Sequence, residues 1–426
     1  MKFDTVIIGG GLAGMTCGIR LAQAGQRCAI VSQGQSAIHF SSGSFDLLGQ
    51  LPDGEPVLDP EAGIAELAGR WPSHPYAVIG AENCARYARQ VPELLREAGI
   101  RVTGQAQHNH FRITPMGKSR ATWLTIDGYL TTPQIGEFPF KRVCIVNIEG
   151  FLDFYPEFIA EELRKFGIEC RFGNFNHPDL ELIRRNPSEM RSANIARVFD
   201  HDADLEALAA ELRRLAAGCD ALILPALIGI NRNDSLEFLK QRVGHPIYLL
   251  PTLPPSIPGI RAQQALQHRF RALGGEYFLG DCVLSAQTEQ GRVRRVFTAN
   301  HGDIPFEADH FVLATGSFFS KGLVATPDRI VEPVFEADVV SRPGRAEWYT
   351  LHFFDRHEYQ AFGVRTDNRL RVIRQGAPLE NLYCVGAGLA GFHPVQEGCG
   401  AGVSMLSALY AAESIARASD KPVAFD

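Results

Sequence analysis

No two of the nine cysteines in this 426-residue chain stand at CxxC spacing. That argues against an iron–sulfur cluster or a structural zinc, so no metal site is expected. The cysteines, at 17, 28, 84, 144, 170, 219, 282, 384 and 399, are scattered through strand-like and glycine-rich stretches and read as buried free thiols. Basic excess is absent too: 42 Lys and Arg face 48 Asp and Glu, a formal charge of −6. A nucleic-acid partner, which needs a basic stripe, is therefore not expected. No apolar run reaches membrane-spanning length. The fold begins at Phe3, so no signal peptide is expected either. What remains is a cytoplasmic globular protein, loosely held to the inner face of the cell membrane through a partner at most. Its length exceeds one compact core, and two domains are expected.

The chain is organised around its first residues. Val6 to Ile8 is a short apolar run that leads into Gly9-x-Gly11-x-x-Gly14. Ala13 to Ala24 has helical periodicity, Gly25 stops it, and Arg27 to Val31 reads as a second buried strand. This strand–turn–helix–strand order is the context a dinucleotide fingerprint requires. Gly9 makes the tight turn, Gly11 lets backbone approach a phosphate, and Gly14 lets helix and strand pack closely. The phosphate then rests on the amides at the helix N-terminus.

Past this unit, Ile38-His39-Phe40-Ser41-Ser42-Gly43-Ser44 offers small hydroxyl residues suited to backbone contact with a cofactor, or to a plain Ser/Gly turn. From Leu51 to about Pro75 the composition is that of a surface excursion. Further on the patterning predicts a helix over 82–98, strands at 143–148, 168–172, 221–225 and 247–250, and helices over 153–166 and 205–217. These give an inserted α/β domain over 51–255 without a glycine fingerprint. The proline-rich 251–259 leads back through a helix at 260–272 to an antiparallel meander at 283–288 and 293–299. A third short strand ends at Glu307. The first domain is thus discontinuous: 1–50, 256–330 and 376–426, with 331–375 left as a connecting segment.

Two later motifs complete it. Phe311 to Leu313 ends in Ala314-Thr315-Gly316, a strand end of the kind that flavoproteins place beside the cofactor. Then the strand around Tyr383 runs into six glycines between Gly386 and Gly402, where average usage predicts about one. A helix follows over 403–417, and its positive end would stabilise charge on the pyrimidine edge of a reduced flavin. The cofactor-binding residues expected are Gly9, Gly11, Gly14, Ser32, Ser41, Ser42, Thr315, Gly316, Gly386, Gly388 and Gly400.

The three glycine motifs make up the FAD-binding pattern of fumarate reductase-like flavoproteins. Nearly the whole chain also resembles the B subunits of anaerobic glycerol-3-phosphate dehydrogenase. The segments that carry this are FDTVIIGGGLAG, RCAIVSQGQSAIHFSSGSFDLL, LLPTLPPSIPGIR, VLATGSFFSKGLV, RAEWY and GFHPVQEGCGAGV, spread from Phe3 to Val403. The resemblance implies a Rossmann-like flavin domain and a heteromeric complex with a second flavoprotein subunit (A) and an iron–sulfur subunit (C). The complex oxidises sn-glycerol 3-phosphate to dihydroxyacetone phosphate and passes electrons to membrane quinone, with fumarate or nitrate as terminal acceptor. It also implies FMN. The second strand ends at Ser32-Gln33-Gly34, where dinucleotide folds place a ribose-binding acid. That lack is compatible with FMN, whereas the glycine fingerprint is built for the diphosphate of FAD. Two other readings stay open: an electron-relay or assembly subunit with no substrate site, and a flavin oxidoreductase of another small substrate. Oxidising an alcohol phosphate needs a base near the hydroxyl and cations for the phosphate. His39 and His393, beside cofactor motifs, are the candidate bases, and Arg261 and Arg365 the candidate phosphate ligands. Spacing alone does not assemble them.

Overall fold

The computed structural model describes residues 1–232 and 234–419. Its largest sheet is built on Lys2–Ile8, Cys28–Ser32 and Phe306–Leu313, whose carboxyl halves are apolar and buried on both faces, as parallel strands require. Lys2–Ile8 lies between the other two, Glu276–Leu279 extends one side, and Ala377–Cys384 pairs parallel with Phe306–Leu313. Register aligns the strand ends. Ile8 is level with Val31 and Leu313, and Leu313 with Cys384. The turns at Gly9, Gln33, Ala314 and Val385 therefore all leave from one edge of the sheet, the carboxyl edge where open α/β sheets bind ligands.

One expectation changes here. The short strand ending at Glu307 and the strand ending at Leu313 are a single strand, Phe306–Leu313. Its first half pairs antiparallel with the meander and its second half parallel with Ala377–Cys384, so one strand serves two neighbours in turn.

Three helices cover this sheet or its edge. Leu12–Gln23 packs against Ile257–Ala272 and against the last helix, Gly400–Ala418. Close approach depends on Gly18, where a Cβ would fall 2.9 Å from the Phe270 ring. The inserted unit carries the expected parallel sheet, in the order Glu169–Phe175, Arg142–Ile148, Ala221–Pro225, Ile247–Leu250.

Two apolar cores divide the chain, and not at residue 51. The first core takes in Leu51, Ile64, Leu67, Tyr87 and Leu95 together with the flavin-side strands. The second begins at Ile113 and runs through Leu249 to Ile260. The excursion joins the first core because the helix Ala81–Glu97 is tied to the last helix. Arg86 and Tyr87 both bond the buried carboxylate of Glu413, the arginine at 2.7 Å. Phe335, Trp348, Phe362 and Val372 place the 331–375 segment in that core as well. Among the described residues, no helix is long and apolar enough to cross a membrane.

Candidate functional site

At the carboxyl edge the turns enclose a cavity of about 880 Å³, toward the upper end of small-molecule sites. Its walls separate glycines needed by the protein from one that is not. A Cβ on Gly9 would lie 2.2 Å from the Ala314 carbonyl oxygen, and one on Gly14 would lie 2.0 Å from that of Gly9. These two fix the turn to the neighbouring strand and helix. Gly11 is different: its Cβ would meet only the Cβ of Ser36, at 3.8 Å. The space beside Gly11 belongs to the cavity, at the start of the helix Leu12–Gln23, where free amides favour a phosphate. The enclosed hydroxyl of Ser36 lines the same cavity and has no hydrogen-bond partner among the described residues. A cradle with an open glycine and an orphan hydroxyl fits a phosphorylated cofactor.

The cavity runs both ways from this cradle. One arm passes Val31 and Ser32 to Asp281–Leu284; the other reaches Thr315, Gly316, Ala387 and the helix start at Gly400 and Ala401. In that helix the N–H of Gly402 is used by the Asp46 carbonyl oxygen, at 2.9 Å. The first two residues of the helix, Gly400 and Ala401, line the cavity, and their amides have no intrahelical acceptors.

Of the expected cofactor residues, Gly9, Gly11, Ser32, Ser41, Thr315, Gly316 and Gly400 line the cavity. Gly14, Ser42, Gly386 and Gly388 stand behind it. Gly386 has φ +71°, and a Cβ there would lie 2.7 Å from that of Ala13, so it seats the glycine loop on the first helix. The neighbours Val385 and Ala387 face the cavity instead. Ser32 donates its hydroxyl proton to the Gly34 carbonyl at 3.0 Å, which leaves it an acceptor for a ribose hydroxyl. Asp281 does not replace the missing ribose acid, because its oxygens bond the amides of Cys282 and Asn300 and the ring of His301.

His39 flanks the cavity between its wall residues Ile38 and Ser41. Burial lowers its pKa, partly offset by a hydrogen bond with Gln263. His393 is 1% exposed and accepts the Arg356 Nε–H at its Nε2, at 3.1 Å. Burial and then the charge of Arg356 hold its pKa down, so the ring is neutral and its lone pair engaged. Arg365 is exposed and its backbone bonds Asp338 and Ile373; neither it nor Arg261 lines the cavity.

A trio of possible metal ligands, His74, Glu397 and Cys399, comes together fully buried. Its hydrogen bonding is already complete. Tyr76 N–H donates to His74 Nδ1 at 3.0 Å, which leaves the ring proton on Nε2, facing Glu397 Oε2 at 3.1 Å. The Cys399 thiol donates to the same oxygen, and the His393 amide to the other. The cluster is a clasp for the 393–399 loop, with the wrong tautomer for ligation through Nε2.

Sequence reasoning missed a set of arginines. The strand His110–Ile113 pairs antiparallel with Ser119–Thr122. Arg120 pairs with Asp46 at 3.1 Å, and the Thr122 hydroxyl donates to the other oxygen of Asp46 at 2.9 Å. Arg112, cross-strand from Arg120, is 6% exposed, and its Nε and Nη1 have no partner among the described residues. Burial lowers its pKa. The alternation His110, Arg112 opposite Arg120, Thr122 was visible as a polar face, but nothing in the sequence said it would be covered.

The FAD binding domain family matches residues 4–403. The B subunit of anaerobic glycerol-3-phosphate dehydrogenase from Yersinia enterocolitica is 48% identical over 421 residues, 99% of each chain. Its counterpart from Pectobacterium atrosepticum is 47% identical, over 97% of this chain and 99% of that one. Among solved structures, a quinol fumarate reductase of E. coli superposes with a TM-score of 0.45 at 11% identity, over 100% of this chain and 72% of the other.

Proposed function

This chain belongs to the anaerobic glycerol-3-phosphate dehydrogenase B subunits, within the FAD binding domain flavoproteins, and on that premise we propose that it is a flavin-dependent oxidoreductase of sn-glycerol 3-phosphate, yielding dihydroxyacetone phosphate. The observation that carries this reading is the cavity at the carboxyl edge, open beside Gly11 and closed by the last helix. When bound, a flavin supplies a two-electron acceptor. The chain's own residues do the rest. The amides of Leu12 and Ala13 and the Ser36 hydroxyl would hold the flavin's phosphate, and the amides of Gly400 and Ala401 would favour negative charge on the flavin. Of the two histidines, His39 is the better placed to take the proton of the substrate hydroxyl. His393, with Arg356 at its lone pair, orients the 393–399 loop.

The missing acid after Ser32 points to FMN, but the arm toward Asp281–Leu284 supports FAD. FMN ends at the phosphate and would leave that arm unused. Heat-released flavin identified by chromatography decides between them. For the reaction, the flavin-loaded chain is titrated anaerobically with glycerol 3-phosphate and watched for bleaching. If dithionite bleaches the flavin and the substrate does not, in the isolated chain and in the complex, the substrate reading is wrong.

Electrons must then leave for a partner, and a strip of exposed aromatic rings borders the cavity. Phe319 is a wall residue; it touches Phe40, and its neighbour Phe318 touches Tyr359. Beyond them Leu351, Phe353 and Phe354 are 98%, 83% and 94% exposed. Phe40, Phe319, Phe353 and Phe354 alone offer about 600 Å², against about 800 Å² per partner in a stable interface. The docked subunit proposed is the iron–sulfur subunit, which would also provide contact with the membrane and its quinone. Phe353→Ser with Phe354→Ser should leave flavin content unchanged and abolish co-purification with that subunit. Retained association would move the interface elsewhere, and loss of the second flavoprotein subunit alone would reassign this surface to it.

A further inference from the structure

Arg112 is a buried cation with no counter-charge of its own. Each neighbour that could neutralise it is engaged elsewhere. Asp46, the carboxylate whose charge acts on it, has one oxygen on Arg120 and the other on Thr122. Tyr129, which feels the charge of both Arg112 and Arg261, donates its hydroxyl to the Ser42 carbonyl oxygen. His110 hydrogen-bonds Thr125, and burial pushes its pKa down to about 4, so it is neutral and adds no balancing charge. Leaving a guanidinium buried with two unpaired nitrogens is costly unless an anion arrives. Many smaller or neutral residues would fill this position in a purely structural design.

The position is also informative. Asp46 follows the cavity residues Ser44 and Phe45, and its carbonyl receives the Gly402 amide of the last helix. Arg120 Nη2 lies 3.8 Å from where a Cβ on Gly398 would be. The arginines thus stand directly behind the end of the cavity assigned to the flavin ring. They also stand where the two cores meet, since Ile113 belongs to the second and Trp123 to the first. Arg112 is not a wall residue of the cavity, so an anion reaches it only when the two cores move apart, the ordinary expectation for two cores in one chain.

We propose that Arg112, with Arg120 cross-strand from it, is the phosphate-binding residue for the substrate, recognising a phosphate monoester dianion. This rests on the reading of the chain as a glycerol-3-phosphate oxidoreductase and names the residue that makes it selective for a phosphorylated alcohol. The planar guanidinium keeps N–H donors unpaired at Nε and at Nη1, on two different edges, and each can give a charge-assisted hydrogen bond to a phosphate oxygen. Arg112 takes the place in this role for which Arg365 is too exposed.

The test uses the flavin-loaded full chain and two variants, Arg112→Met and Arg112→Lys. Calorimetry measures binding of glycerol 3-phosphate, inorganic phosphate and fumarate; thermal unfolding is followed without and with phosphate. In the native protein both phosphates bind and fumarate does not. Arg112→Met should weaken both phosphates roughly tenfold to a hundredfold, the loss of charged hydrogen bonds. It should also unfold at a higher temperature than the native chain in phosphate-free buffer, because an uncompensated charge has been removed. Arg112→Lys should retain part of the affinity. A structural arginine would give the opposite melting result, with Arg112→Met less stable and phosphate affinity unchanged, and that overturns the proposal. Preferential binding of fumarate also overturns it. If the native chain binds phosphate but glycerol 3-phosphate never bleaches the flavin, the function fails while the anion site stands.

Discussion

Replacing Gly11 and Gly14 in turn separates what the cofactor needs from what the fold needs. Gly11 has φ −80° and ψ −174°, backbone open to any residue, and a side chain there points into the cavity. Gly11→Val should therefore fold, with stability changed by less than about 1 kcal/mol, the scale of a helix-cap substitution. Its methyls would occupy the phosphate space and break about two charge-assisted amide bonds. Flavin affinity should fall roughly a hundredfold to ten-thousandfold. Gly14→Ala adds a single methyl, yet it would lie 2.0 Å from a backbone oxygen and 3.3 Å from the Ala314 Cβ. Neither neighbour is a flexible side chain, so the turn must move, at about 1–3 kcal/mol or more. Calorimetry of the flavin-stripped proteins and the flavin-to-protein absorbance ratio read the two effects independently. The expected pattern is a native-like melt without flavin for Gly11→Val, and a lowered melt for Gly14→Ala. A folded Gly11→Val protein with a full complement of flavin would refute the placement of phosphate beside Gly11.

Other perturbations follow from single contacts. Glu413 is pushed up by burial but more strongly held down by Tyr87 and Arg86, for a net lowering. Its contribution is present above the ordinary Glu pKa of about 4.3 and is lost as pH falls through the lower folded value, so Glu413→Gln should flatten the acid limb of a stability–pH curve. Glu397→Gln leaves three donors facing a group with only one acceptor oxygen; urea unfolding should show a loss of about 1–3 kcal/mol. Phe270 sits in the angle between Gly18 and Gly275, where Cβ atoms would lie 2.9 and 2.3 Å from its ring. Phe270→Ala should cost about 3–5 kcal/mol by the same measurement.

Much of the fold was legible because apolar periodicity and glycine stops are local signals. The strands Ala221–Pro225 and Ile247–Leu250 fall where the pattern put them. The boundary at 51 was not legible. Polar, proline-rich composition marks a surface path, but which core the following helices join depends on Glu413, more than 300 residues away in sequence. The phosphate cradle could be read because its residues are contiguous. Arg112 could not, since an arginine in an alternating strand reads as solvent-facing until Asp46, Tyr129 and the serine loop close over it. Arg365 was the converse: a cation near a glycine motif in sequence that folds to the outside.

The central strand Lys2–Ile8 has a consequence for how the protein is made. One of its two neighbours, Phe306–Leu313, leaves the ribosome some 300 residues later, a wait of about 15–60 s at ordinary translation rates. The second core, complete by Ile260, can fold during that interval. The flavin sheet cannot close until Ala377–Cys384 and the last helix have emerged. A half-built parallel sheet with bare edges is therefore an obligatory visitor in the cell. Supply of flavin should govern yield as much as activity, and flavin-starved cells should accumulate this chain in aggregates rather than as soluble apoprotein.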